Sequence, residues 1–135
     1  MLERFRIAPT LAASDIDRAR QWYTEKLGLG PTVELPGGLI FPAGGEPLGF
    51  GVYLSPNAGS NRATYATWLV DDLDAVMGAL RERGVRFEDY ATAEVTTVDG
   101  VATSDQGART AWFTDSEGTI LSLSELPASM GSGSD

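Results

Sequence analysis

The side chains of this sequence able to do chemistry are carboxylates, hydroxyls and aromatic rings, because its 135 residues include neither histidine nor cysteine. Without imidazole the usual general base near neutral pH is missing, and so is the commonest ligand for zinc, nickel or iron. Ser-His-Asp and Cys-His nucleophilic sites are excluded outright. The absent thiols also exclude disulfides, thiolate nucleophiles and thiolate metal sites. Among the acids, Asp71, Asp72 and Asp74 stand where a helix would begin, and capping accounts for them better than metal binding. Glu94, Asp99 and Asp105 lie in a long polar segment and read as solvated. Three apolar runs then carry hydroxyls and rings in alternation: Tyr65, Thr67 and Leu69; Thr110, Trp112 and Thr114; Ile120, Ser122 and Ser124. Residues spaced by two share one face of a strand. A surface of flat rings and hydroxyls suits a planar organic ligand, held by stacking and a few orienting hydrogen bonds. The competing reading is a sheet interior in which the same rings only pack on one another.

Charge and hydropathy remove other classes. A net charge of −9 opposes phosphate backbones, and the ten basic residues are scattered, so nucleic acid is not an expected partner. The acidity favours a cationic ligand, although solubility is the plainer reason for it. No run approaches eighteen apolar residues, so no membrane span is expected. Met1-Leu2-Glu3-Arg4-Phe5 has no apolar signal core, and a cytoplasmic location is the default expectation.

The elements that must position these residues come as a repeat. Ser14-Asp15-Ile16-Asp17-Arg18-Ala19 is matched by Asp71-Asp72-Leu73-Asp74-Ala75-Val76. Each follows an apolar run, Ile7 to Ala13 and Tyr65 to Val70, and each opens a helical pattern that ends in glycine, Gly28 or Gly84. Asp15 and Asp72 are good N-caps, since a short carboxylate accepts from the free N–H groups of a first turn. Asp17 and Asp74 then sit where the helix dipole favours negative charge. Ile16, Ala19, Tyr23 and Leu27 recur at helical spacing, as do Leu73, Val76 and Leu80 with Met77. Trp22 and Tyr23 read as core or dimer contacts, and Trp68 as core.

Extended segments are expected at Pro31–Leu35, Leu39–Phe41 and Leu48–Ser55, then at Arg86–Tyr90, Arg109–Thr114 and Thr119–Leu126. The stretch from Ala91 to Ala108 is long for a compact domain without structure of its own, so it is expected to cover a site. The order is β-α-β-β-β twice, which predicts an α+β fold built as one domain over residues 1–127, with modules at 1–56 and 63–127 and a disordered tail over 128–135.

The two helix openings, Leu11 to Ala19 with Trp22-Tyr23 and Val70 to Ala75, resemble those of the vicinal-oxygen-chelate superfamily, the glyoxalase/bleomycin-resistance/dioxygenase proteins. Ala111-Trp112-Phe113-Thr114-Asp115-Ser116-Glu117-Gly118-Thr119 is similar to that family's terminal turn, with Ser116 and Thr119 in place of its Pro and Asn. Leu54-Ser55-Pro56-Asn57-Ala58-Gly59 resembles a metal-free bacterial branch that carries no assigned activity. The resemblance covers residues 5 to 126. It implies tandem βαβββ modules whose mixed sheets curl around a central cavity, in a homodimer.

Catalytic members hold a divalent ion with His, Glu or Gln from four strands. The resemblance places those positions at Ala8, Tyr53, Tyr65 and Ser122. Ala8 has no donor atom, a phenol with a pKa near 10 is a poor ligand at neutral pH, and Ser122 offers a neutral hydroxyl. Glu125, at odd spacing from Ser122, should face the other way. No metal and no cofactor are therefore expected, and metal-dependent glyoxalase or dioxygenase activity is disfavoured. The expected ligand-binding set is Tyr53, Tyr65, Thr67, Trp112 and Ser122, with a small organic molecule, aromatic or cationic, as the partner. No catalytic residue is assigned. The alternative is a metal-free isomerase, lyase or hydrolase of the same fold.

Overall fold

In the computed structural model, residues 1–128 are described. Except for Ala128, the tail expected over 128–135 lies outside them. After a single 3-10 turn at Leu2–Arg4, the first module runs β1 (Thr10–Ala13), α1 (Ile16–Leu27), β2 (Val33–Leu35), β3 (Gly38–Ala43) and β4 (Glu46–Leu54). The second runs β5 (Ala66–Leu69), α2 (Leu73–Glu82), β6 (Ala102–Thr103), β7 (Arg109–Thr114) and β8 (Ile120–Glu125). The βαβββ order thus occurs twice, in an α+β fold.

Each module forms one four-stranded mixed sheet, ordered β1-β4-β3-β2 in the first and β5-β8-β7-β6 in the second. In both, the strand that precedes the helix runs parallel to the last strand, and the other pairings are antiparallel. The two sheets are not closed into a barrel.

The helix starts follow from their caps. Asp15 accepts from the backbone N–H of Arg18 at 3.0 Å, and Asp72 from that of Ala75 at 3.1 Å. At its other end α1 stops at Gly28, whose φ of 71° is left-handed and cheap only for glycine. Ala19 and Tyr23 of α1 and Leu73 and Met77 of α2 are buried. They meet the core faces of the sheets: Leu11, Leu39, Phe41, Phe50 and Val52 in the first, Ala111, Phe113, Leu121 and Leu123 in the second. These residues form one cluster. Phe50 meets Trp68 edge-on at 5.6 Å, and Phe113 stacks on both Trp68 and Trp22, so the modules share a core.

Two segments differ from the sequence expectation. Arg86–Tyr90 is not a strand, and the strand next to β7 is the two-residue β6, inside the stretch read as loop. The cause is local. The Asp89 carboxylate accepts from Thr97 Oγ1 at 2.7 Å and from Gly100 N–H at 2.8 Å, which turns the chain away from β7 after one bond, Glu88 N–H to the Trp112 carbonyl. Asp99-Gly100 then forms a tight two-residue turn with φ of 52° and 82°, closed by paired bonds between Val98 and Val101. The long segment therefore has a structure of its own.

Candidate ligand-binding site

Register places the chemistry on one face of the second sheet. Trp112 of β7 lies opposite Ser122 of β8, and Ser122 lies beside Thr67 of β5. The next row is Thr110, Ser124 and Leu69. On the other side Thr114 pairs with Ile120, whose carbonyl accepts from Tyr65 N–H at 2.8 Å. Alternate residues of the same strands, Ala111, Phe113, Leu121 and Leu123, are buried on the core side. The face with rings and hydroxyls thus points away from the helices.

Its hydroxyls are bonded to each other. Thr67 and Ser122 share a hydrogen bond of 2.7 Å, and Thr110 and Ser124 one of 2.9 Å. Ser122 is only 2% exposed, so it fixes Thr67 rather than presenting itself. The Trp112 indole donates from Nε1 to Thr64 Oγ1 at 3.0 Å, and the Tyr90 ring meets it edge-on at 5.5 Å. Around this pair lies a hollow of about 360 Å³, lined by Arg62, Ala63, Thr64, Tyr90, Thr92, Val95, Trp112 and Ile120. A second hollow of about 630 Å³ shares Arg62, Tyr90 and Ile120 with it and adds Ser60, Asn61, Glu88 and Thr114.

Of the expected set, the structure brings Thr67, Trp112 and Ser122 into one row, with Tyr65 a row away on the same face. Tyr53 is elsewhere: it stands on the first sheet between Ala12 and Gly38, 46% exposed. Tyr90, Thr64 and Arg62 were missed by the sequence reading because they belong to loops, where no alternation announces a face. The one available signal was an aromatic residue at the start of the long segment. Part of that segment, Thr92 and Val95, walls the hollow about Trp112.

Other hollows lie between the sheets and on the helix side, the first with an arginine, a hydroxyl and an indole of its own, Arg6, Thr67 and Trp68. A seam between the sheets, about 330 Å³, is lined by Ile7, Leu11, Phe50, Thr67 and Trp68 among others. On the helix side, Leu27, Leu29, Trp68, Val70, Val76, Leu80, Phe113 and Leu123 line about 200 Å³. Apart from the Trp68 indole, that space is lined by side chains without hydrogen-bonding groups.

Ala8, Tyr53, Tyr65 and Ser122, the positions expected from the resemblance, present no carboxylate or imidazole donor. Ala8 lies ahead of β1, Tyr53 is on β4, Tyr65 is just ahead of β5, and the Ser122 hydroxyl is engaged by Thr67. Glu125 faces the helix side, where it accepts from Leu73 N–H at 2.8 Å and lies 3.8 Å from Arg109. Among the described residues no three of His, Cys, Asp and Glu come close enough to hold an ion.

The strongest electrostatics belong to a clasp between modules. The buried Tyr23 hydroxyl of α1 donates to Asp115 Oδ2 at 2.7 Å. Asp115 Oδ1 accepts from Glu117 and Thr119 N–H, which builds the β7–β8 turn. Burial pushes the Asp115 carboxyl up, against those hydrogen bonds, and also pushes the Tyr23 phenol up, with Asp115 adding to it. Glu117 receives Ser14 N–H at 3.0 Å and Arg18 Nη2 at 2.6 Å. Burial alone would raise Glu117, but Arg18 and Ser14 outweigh it and hold the carboxyl below its ordinary value. This turn positions the start of β8 and therefore Ile120 and Ser122.

A family model described as the Glyoxalase/Bleomycin resistance protein/Dioxygenase superfamily matches residues 6–123. The chain belongs to this superfamily. Solved structures of similar fold include a glyoxalase/bleomycin resistance protein from Catenulispora acidiphila, 24% identical, covering 91% of this chain and 99% of that one at a TM-score of 0.68. TnmS3, an antibiotic binding protein from Streptomyces, is 22% identical over 91% of this chain and 98% of its own, with a TM-score of 0.61. A bleomycin-binding protein in complex with bleomycin is 20% identical over 91% and 99%, with a TM-score of 0.68. No curated protein matches the sequence. None of the chain's helices among the described residues is long and apolar enough to cross a membrane.

Proposed function

We propose that this protein binds a small aromatic molecule, without a metal, on the open face of the second sheet. The observation that carries the reading is the hollow at Trp112, where two rings at right angles and three hydroxyls surround about 360 Å³ of space. That volume matches a small-ligand site, and edge and face positions for a planar ring are both present. Thr67, held by Ser122, and Tyr65 extend the surface along the sheet. The bleomycin-binding and antibiotic-binding proteins of similar fold support a binding role.

The groups lining the hollow favour binding over proton transfer. Burial and the nearby Glu88 push the Tyr90 phenol above its ordinary value, so it stays protonated near neutral pH. A general base needs a pKa close to the working pH. Neither Tyr90 nor the threonine hydroxyls beside it meet that need.

The same reading makes the protein a homodimer. The first sheet exposes Leu35 and Tyr53 in one register row on its open face, at 55% and 46%. Exposed apolar patches of that kind mark protein contacts, and a second copy is the occupant proposed here.

A thermal-shift and tryptophan-quenching screen against neutral, anionic and cationic aromatic compounds tests the binding reading. The expected result is a saturable shift with at least one planar compound, lost in Trp112→Leu. A screen in which no compound binds, or in which Trp112→Leu binds as wild type does, overturns it.

A further inference from the structure

The lining of the hollow at Trp112 differs in charge from the protein as a whole. Overall the chain is acidic, with a net charge of −9. Yet of the eight side chains lining this hollow only one carries a charge, and it is the guanidinium of Arg62. The rest are hydroxyls, from Thr64, Tyr90 and Thr92, and apolar groups.

Among the described residues the side-chain ion pairs use Arg18, Arg20 and Arg109, and none of their carboxylates lies within 4.0 Å of Arg62, which is thus left open to a ligand, as the other basic side chains outside those pairs are. Glu88 is the acid that shares a space with Arg62, and it lines the wider neighbouring hollow rather than the one walled by Trp112.

We propose that the ligand bound against Trp112 is a planar aromatic acid, its ring on Trp112 and Tyr90 and its carboxylate on Arg62. This rests on the binding reading above and names the ligand class of that site. Arginine presents a planar fork that meets a carboxylate through two parallel N–H···O bonds. A cationic ring would meet Arg62 as a like charge, and a neutral ring would leave the fork to solvent. The long-range acidic field works mainly on the rate of approach and is screened by salt, whereas the contact pair is screened less. Space of about 360 Å³ admits one or two fused rings.

Three probes of one shape separate the possibilities: 1-naphthoate, 1-naphthamide and 1-naphthylmethylammonium, titrated calorimetrically into the full chain. In wild type, naphthoate should bind at least about tenfold more tightly than the amide, and the ammonium weakest, a factor that corresponds to ~1.4 kcal/mol. In Arg62→Gln, naphthoate should lose its advantage over the amide. Arg62→Lys should recover part of the preference, since it keeps the charge and loses the fork. Arg62 is exposed in a loop, so both variants should melt as wild type does, and the melting curve checks this.

Equal binding of naphthoate and amide, tighter binding of the ammonium, or a preference that survives Arg62→Gln would overturn the assignment of an acid while leaving an aromatic-binding face in place. If none of the three probes binds, the binding face and the charge preference fall together.

Discussion

The two sheets share one topology and differ in what they turn outward. In the first, the outward rows read Val33, Ile40, Gly51, Thr10 and Leu35, Gly38, Tyr53, Ala12. In the second they read Thr110, Ser124, Leu69 and Trp112, Ser122, Thr67. The core faces of both are aliphatic and aromatic, because each must cover a helix. Duplication therefore preserves the buried face, which pays for folding, and leaves the outward face free to diverge. Small and apolar residues make the first face suited to another protein surface. Bonded hydroxyls and a fixed indole make the second suited to an oriented small molecule.

If the modules are one cooperative unit, the largest effect should come from Phe113, which touches Trp22, Trp68 and Phe87. Phe113→Ala is expected to cost about 3–5 kcal/mol and to lower a single unfolding transition. Two separate transitions in calorimetry would show instead that the modules stand alone.

The clasp between modules gives a smaller effect with a distinctive sign. The folded pKa of Glu117 is lowered, so its contribution is full above the unfolded carboxylate value and is lost as pH falls through the folded one. That of Asp115 is raised, so its ionisation opposes folding as pH rises from the unfolded value to the folded one. In denaturant titrations across the acid range, the stability advantage of wild type over Glu117→Gln should shrink as pH falls. Its difference from Asp115→Asn should move in wild type's favour over the same change. Parallel trends for the two variants would contradict the assignment.

Smallest in stability is Tyr53→Glu, on the exposed face of the first sheet, expected within about 0.5 kcal/mol. It should nevertheless turn a dimer into a monomer in sedimentation equilibrium, because a carboxylate at an apolar contact is left unpaired. A wild-type monomer, or a Tyr53→Glu dimer, would remove the distinction drawn between the two faces.

Much of this architecture is legible in the residues. Asp15, Asp72 and Gly28 mark helix boundaries through local chemistry, and strand alternation correctly separates Trp112 and Ser122 from Phe113 and Leu121. What resists reading is non-local. Two residues, Ala102–Thr103, are too few to show a period, and Arg86–Tyr90 looks extended because nothing in its composition reveals that Asp89 will bind Thr97 and Gly100. Tyr90, Thr64 and Arg62 reach Trp112 from loops whose paths depend on the finished fold. Tyr53 lies, as the sequence reading expected, in the last strand of the first module, and so in the other sheet from Tyr65.

The central claim is that the second sheet's open face holds the ligand, and the three indoles of the protein report on it separately. Trp22 and Trp68 pack against the core, whereas Trp112 faces the hollow with its Nε1–H on Thr64. In a ¹H–¹⁵N correlation spectrum, titration with a binding aromatic compound should move the Trp112 indole signal and leave those of Trp22 and Trp68 nearly still. A ligand that shifts Trp22 or Trp68 while Trp112 stays in place would locate binding away from the open face, on the helix side or in the seam between the sheets, and contradict the account.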